Sequence, residues 1–301
     1  MRKFLLVIGL LLLVAAGVWK FSLSKNWTPR ITPGWSWTAN SLLEQAYPDA
    51  VTHKLPDAGQ NRTNLYDRKI EIVSADNTPA GAVMLKDTLV TKNPSTGKES
   101  YRTDFTAPVD PETGVFVQGE FKGQNFVFPR NVQKTTYTIR QANIAGIAVT
   151  FDKEDLLEGL QTYVFSYSGA YEAPSINPPL PAGQVTKCKD DQFLQRFWVE
   201  PVTGEVAKME WGCLSGLYAY DTATQKYFDP LARWHGVSTG DDVLRHVGQI
   251  QEQRTLLTWV TTYIPLLMLF FGLLLVIGGI VPRTRKASIP EIVPAVNQSP
   301  A

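Results

Sequence analysis

Apolar residues are distributed along this chain in two ways. Phe4 to Trp19 and Thr255 to Val281 carry no charged side chain, whereas from about Lys69 onward Val, Ile, Thr, Tyr and Phe come in short runs broken by Pro, Gly, Asn or Asp. A helix needs about 20 apolar residues, at a rise of about 1.5 Å each, to cross a bilayer. The C-terminal stretch has that length, and the N-terminal one reaches it if Lys20 snorkels and Phe21 to Leu23 are counted. Val14-Ala15-Ala16 also fits a small-residue cleavage site, so the first stretch reads as a signal or as an anchor, and the anchor is the reading adopted.

The short runs predict strands over 69–74, 81–91, 99–104, 115–119, 135–139, 148–151, 160–167, 193–200 and 205–211, with a last pair over 217–221 and 226–229. In the 193–199 run, Phe193, Phe197 and Val199 share one face and Arg196 takes the other. Residues 24–65, rich in Asn, Thr, Pro and Trp, predict an irregular lead-in with one short helix near 41–45. The acidic 152–160 stretch predicts a charged turn. After it, Thr239-Gly240-Asp241-Asp242 supplies a capping hydroxyl and early acids for a helix. Val243, Leu244, Val247 and Ile250 recur at helical spacing, so that helix is expected to run on into the membrane, kinked at Pro265.

The fold class is therefore mainly β, an antiparallel strand-rich extracytoplasmic domain between two transmembrane helices, built as a curved sheet, sandwich or half-barrel. The expected boundaries are an anchor with its flank over 1–23, the β-rich domain over 24–238, a helix entering the second span over 239–282 and a disordered tail over 283–301. Arg2 and Lys3 precede the first span, and Arg283, Arg285 and Lys286 follow the second, which places both termini on the cytoplasmic side.

A pentapeptide pattern recurs three times: Asn93-Pro94-Ser95-Thr96-Gly97, Asp110-Pro111-Glu112-Thr113-Gly114 and Glu200-Pro201-Val202-Thr203-Gly204. A sorting signal would need a leucine before the proline and an apolar tail directly after it, and Glu200 precedes Pro201. Three hairpin turns explain every residue instead: Pro94, Pro111 and Pro201 preset φ, and Gly97, Gly114 and Gly204 supply a positive φ at the end.

Composition narrows the chemistry. A net charge of +1 over 301 residues gives no reason to expect nucleic acid. Cys188 and Cys213, the only cysteines, both fall on the oxidising side and are expected to form a disulfide closing the mouth of the 193–211 hairpin, with Trp198 opposite about Ala207. Two cysteines and three scattered histidines are too few for a metal site, no Gly-rich phosphate loop or Gly-x-Ser-x-Gly elbow occurs, and paired acids fall where turns and helix starts need them. No cofactor and no enzymatic activity are expected. The aromatic mass of the central strands exceeds what a thin sheet needs. It reads as a packed core, or as a groove in which Phe126, Phe128, Tyr163, Phe165, Phe197 and Trp198 face a lipid or cell-envelope component.

Gly119 to Thr136 with Phe126-Val127-Phe128-Pro129, then Gly159 to Phe165, Phe197 to Gly204 and the Leu256 to Trp259 start of the last span, together resemble the porin PorA family of bacterial membrane proteins. The resemblance implies an envelope protein anchored at both ends, and the family's label implies a pore. The residues favour binding over conduction: Pro265 to Val281 offers no polar face to a water-filled path, and the strands are short and charged at alternate positions. The expected partners are the bilayer and a lipid or envelope component, with a porin component or an unrecognised hydrolase as the alternatives.

Overall fold

The structure is a computed structural model that describes residues 2–23, 34–57, 60–74, 78–79, 81–118, 123–125, 128–139, 146–171 and 180–281. It divides into two compact units, one holding residues 1–28 and 257–301 and the other residues 29–256.

The larger unit is an 11-stranded antiparallel sheet. Its strands are β1 (Ser36–Ala46), β2 (Arg62–Ser74), β3 (Val83–Lys92), β4 (Glu99–Val109), β5 (Thr136–Ile139), β6 (Ile147–Leu157), β7 (Leu160–Gly169), β8 (Gln184–Cys188), β9 (Phe193–Val199), β10 (Val206–Asp221) and β11 (Lys226–Ser238). They run in the order β4-β3-β2-β1-β11-β10-β9-β7-β6-β5, with β8 beside the far half of β10. The edges are also tied to one another, because Val109 bridges Phe116, Val115 bridges Gln124, and Gln124 bridges Ile139 of β5. The sheet thus curls around one core, to which Trp37 and Leu43 of β1, Ile70, Leu85, Val149, Phe165, Phe197 and Met209 all contribute. Strict alternation puts one side chain in two on that inner face.

Four expectations change. Residues 36–46 form a strand, pairing with β2 and β11, because Trp37, Ala39, Ser41 and Leu43 alternate inward. The acidic stretch continues β6 to Leu157, since Lys153, Glu154 and Asp155 pair with Val164, Tyr163 and Thr162 and their charged heads stay in water. A register shift between Val206 and Lys208 sets Lys208 opposite Trp198 and Cys213 opposite Phe193, one place from the expected pairing. The expected 115–119 strand is reduced, among the described residues, to the bridges at Val115 and Phe116.

An ion pair lies inside the sheet. Arg68 and Asp87 face inward with Ile70 and Leu85, and the guanidinium donates from Nε to Asp87 Oδ1 at 2.9 Å and from Nη2 to Oδ2. Nη2 also donates to Asn125 Oδ1 at 3.2 Å, which fixes the 123–125 segment to β2. Matched charges in low dielectric lower the cost of burial without guaranteeing a net gain.

Helix α2 (Gly240–Thr258) begins as its sequence requires, with Asp242 N donating to Thr239 Oγ1 at 3.2 Å. Its Val243, Val247 and Ile250 pack on Leu160 and Ala207. Arg245 holds the other flank, donating to Thr38 Oγ1 and Thr38 O at 2.9 Å each.

The smaller unit pairs α1 (Arg2–Val18) with α3 (Ile264–Ile280) in antiparallel sense. A Cβ on Gly9 would stand 2.7 Å from Gly272 O, and one on Gly279 would stand 3.2 Å from Arg2 O, so glycine permits the close approach. Each span has a π-helical turn at the same end, Trp19–Leu23 and Trp259–Tyr263. Pro265, in the first turn of α3, has no N–H to offer the preceding carbonyls. Side chains from the other helix take its place: Trp19 Nε1 donates to Val260 O at 2.9 Å and Lys20 Nζ to Thr261 O at 2.8 Å.

Candidate functional site

The three repeated pentapeptides are one loop. In each, the first side chain accepts the N–H groups two and three residues on, the glycine N–H bonds the first carbonyl, and φ at the glycine is 67°, 70° and 78°. The loop occurs twice more without Pro or Gly, at Asp49-Ala50-Val51-Thr52-His53 and Asp221-Thr222-Ala223-Thr224-Gln225, where His53 and Gln225 take φ of 52° and 57°. A carboxylate or amide three places before threonine is the shared signal.

The Glu200 copy differs in its surroundings. Segment 128–132 pairs with it, Phe128 N donating to Gly204 O at 3.2 Å, Asn131 N to Val202 O at 3.1 Å and Val132 N to Pro201 O at 2.7 Å. Glu200 is fully buried and uses Oε2 for the turn, which leaves Oε1 3.5 Å from Arg254 Nε of α2. Beside it, burial holds the Glu205 carboxyl above its ordinary range, partly offset by a hydrogen bond from Gln253. On the same helix Asp242 pairs with Arg245 and lies 3.4 Å from His246 Nε2, while the His246 ring stacks on Trp37. These groups join helix to sheet. No cluster of three or more metal-ligating side chains occurs among the described residues.

The inner face of β7, β9, β10 and β11 carries the aromatic residues. Phe128, Phe165 and Phe197 are buried against one another, with ring centroids 5.1 and 5.9 Å from Phe128. Tyr163, half-buried at the rim, meets Phe151 edge to face. Trp198 lies on the opposite face, donating to Asp155 Oδ2 at 2.9 Å beneath Lys208, and this bond keeps the Asp155 carboxyl below its ordinary range. Phe126 lies outside the described residues. Of the six residues expected to line a groove, four are thus together on the inner side and three of those fill it.

Further along the same face the packing changes. Half-buried Tyr167, Tyr171, Trp211 and Trp234 pack against the core around Phe193, with Tyr171 stacked on Phe193 at 4.3 Å and the Trp211 ring tilted against Tyr66 at 4.8 Å. Burial pushes the Tyr171 phenol up to about 12. The Cys188–Cys213 disulfide borders this group, its Cα atoms 5.8 Å apart. It joins β8 to β10 at the open end of the β9–β10 ladder, where Cys213 is the last residue to pair with β9 and Cys188 pairs with Leu217. In the middle stands Gln195, opposite Trp211 on one side and Tyr167 on the other. It is 1 % exposed, and among the described residues neither its Oε1 nor its Nε2 has a hydrogen-bond partner. The alternation Phe193-x-Gln195-x-Phe197 already sets a polar residue on an apolar face, a signal that the aromatic count alone passes over.

A β-domain with two helices long and apolar enough to cross a membrane defines a membrane-anchored protein with one strand-rich domain. The family model described as Porin PorA matches residues 118–281, more than half of the chain, and the chain belongs to that family. The match takes in β5 to β11, the Glu200 turn, α2 and α3, while α1 and β1 to β4 lie outside it. No curated protein matches the chain.

Proposed function

We propose that the protein is a non-catalytic binding module, held to the cytoplasmic membrane at both ends with its termini inside, whose outer β-domain takes up an apolar component of the cell envelope. The observation that carries this is the inner aromatic face around Phe193. Half-buried rings of Tyr167, Tyr171, Trp211 and Trp234 offer stacking and apolar contact beside a domain tethered to the bilayer from which such a molecule would come. Mild detergent extraction of the full chain followed by native mass spectrometry tests it. Retained lipid mass that falls on Trp234→Ala supports the reading, and a bare protein under every mild condition overturns it.

The family's name favours a second reading, a pore. The outward side chains of α3, including Leu266, Leu269, Phe270, Leu273 and Ile277, are all apolar, so a conducting path would have to be lined in several copies by the segment holding Thr258, Thr261 and Thr262 instead. Stepwise conductance of the purified protein in planar bilayers distinguishes this reading from the first.

A further inference from the structure

We infer that Gln195 is the recognition group of the inner aromatic face, and that the molecule bound there is an uncharged amphiphile presenting a hydroxyl and a carbonyl, as a glycerol ester does. The inference rests on the binding role proposed above and adds the chemical class of the ligand.

A buried amide without partners is costly, because each unmade hydrogen bond forfeits about 1–3 kcal/mol of solvation. Leucine or methionine at 195 would fill the same space between Phe193 and Phe197 without that cost. A buried polar group that its own protein leaves unpaired calls for an explanation, and a place for a ligand's polar group is one. Gln195 offers one donor group and one acceptor, so the complementary group is one acceptor and one donor: a carbonyl for Nε2 and a hydroxyl for Oε1.

Charge on the inner face points the same way. Its ion pair is internally matched, Arg68 on Asp87. The tyrosines beside the site, Tyr66, Tyr167 and Tyr171, are all held above their ordinary values by burial, so they stay neutral. Among the described residues a bound carboxylate or phosphate would meet no cation dedicated to it on this face, whereas an uncharged head would meet Gln195. The rings of Tyr171, Trp211 and Trp234 supply the surface for its apolar part.

The test uses the full chain in detergent micelles and two probes with brominated chains that quench tryptophan on contact: a monoacylglycerol and an alkane of matched length. Wild type is expected to bind the monoacylglycerol about tenfold more tightly than the alkane, a ratio of the size one or two satisfied hydrogen bonds give. Gln195→Leu, with Gln195→Met as the unbranched control, is expected to remove that preference, to keep alkane quenching, and to raise Tm by about 2–4 °C. Quenching by neither probe overturns the binding role itself. Equal preference in wild type and both variants, or a Tm that falls in both, leaves the binding role standing and overturns the assignment of Gln195.

Discussion

The turns at Asn93 and Glu200 are wired alike and are not alike in the molecule. Each holds its first side chain against two backbone N–H groups and ends on a glycine in the left-handed region. Around Gly97 there is open space, whereas a Cβ on Gly204 would stand 2.3 Å from Phe128 O and 2.6 Å from Pro129 O. The same five-residue loop serves as a solvent-side chain reversal in one place and as a structural node in the other. One atom makes the difference legible: glutamate is a methylene longer than asparagine, so it can hold the turn with Oε2 and still bring Oε1 to Arg254. What surrounds a motif, more than the motif itself, decides how much the molecule depends on it.

The sharpest way to break that comparison is to add one methyl to each glycine. Gly97→Ala forces alanine to a φ of 67° with nothing to strike and is expected to cost about 1 kcal/mol. Gly204→Ala adds displacement of the 128–132 backbone, and with it Phe128 from its place between Phe165 and Phe197, for a cost of about 3 kcal/mol or more. Denaturant midpoints of the two variants check this. Equal losses would show that segment 128–132 yields freely and that Glu200 marks an ordinary turn.

Removing the side chains that hold the loops comes next. Asn93→Ala exposes two N–H groups to water and is expected to cost about 1 kcal/mol, as a lost cap does. Glu200→Ala leaves the N–H groups of Val202 and Thr203 and the Thr203 hydroxyl without their acceptor inside the fold, for about 2–3 kcal/mol. Glu200→Gln keeps an acceptor at Oε and recovers part of that loss. Thermal unfolding of the three variants, at equal protein and detergent concentration, orders them.

The sequence made the turns, most of the strand runs and the disulfide readable, because each rests on local chemistry: proline and glycine at fixed offsets, β-branched runs, and a single pair of cysteines. It hid what rests on distant partners. Ser36–Ala46 looks irregular until β2 and β11 stand on either side of it, and then its inward Trp37, Ala39, Ser41 and Leu43 are an alternation like any other. Trp198 counts as one more aromatic in composition, yet strand parity sends it away from Phe197. Gln195 was legible as a position and silent as a site, since only the assembled face shows that nothing among the described residues satisfies it.

Glu205 lets pH act on the Glu200 node. Burial raises its folded value above the ordinary 4.5, so the native state holds the proton more tightly than the unfolded chain does. Stability from this group is therefore full below about 4.5 and declines as pH rises through the raised folded value. Glu205→Gln, which keeps a partner for Gln253, is expected to unfold at the same temperature as wild type at pH 4 and at a higher one at pH 7. A variant that is less stable at pH 7 would mean that the charge is needed, through His246 or Arg130, and not merely tolerated.

The smallest effect concerns the two copies of the loop that lack glycine. His53 and Gln225 hold φ of 52° and 57°, where a side chain costs about 1 kcal/mol and glycine costs nothing sterically. Replacing either by glycine relieves that strain but enlarges the freedom of the unfolded chain, so the net gain is expected to be about 0.5 kcal/mol. Both positions are exposed, and no packing has to be rebuilt. A rise in Tm of about 1–2 °C for Gln225→Gly, alongside the loss for Gly97→Ala, would establish that all five loops obey one backbone rule and that only Glu200 stands apart. A loss at Gln225 instead would mean that its side chain steadies the β10–β11 hairpin, making the loop without proline or glycine a second exception.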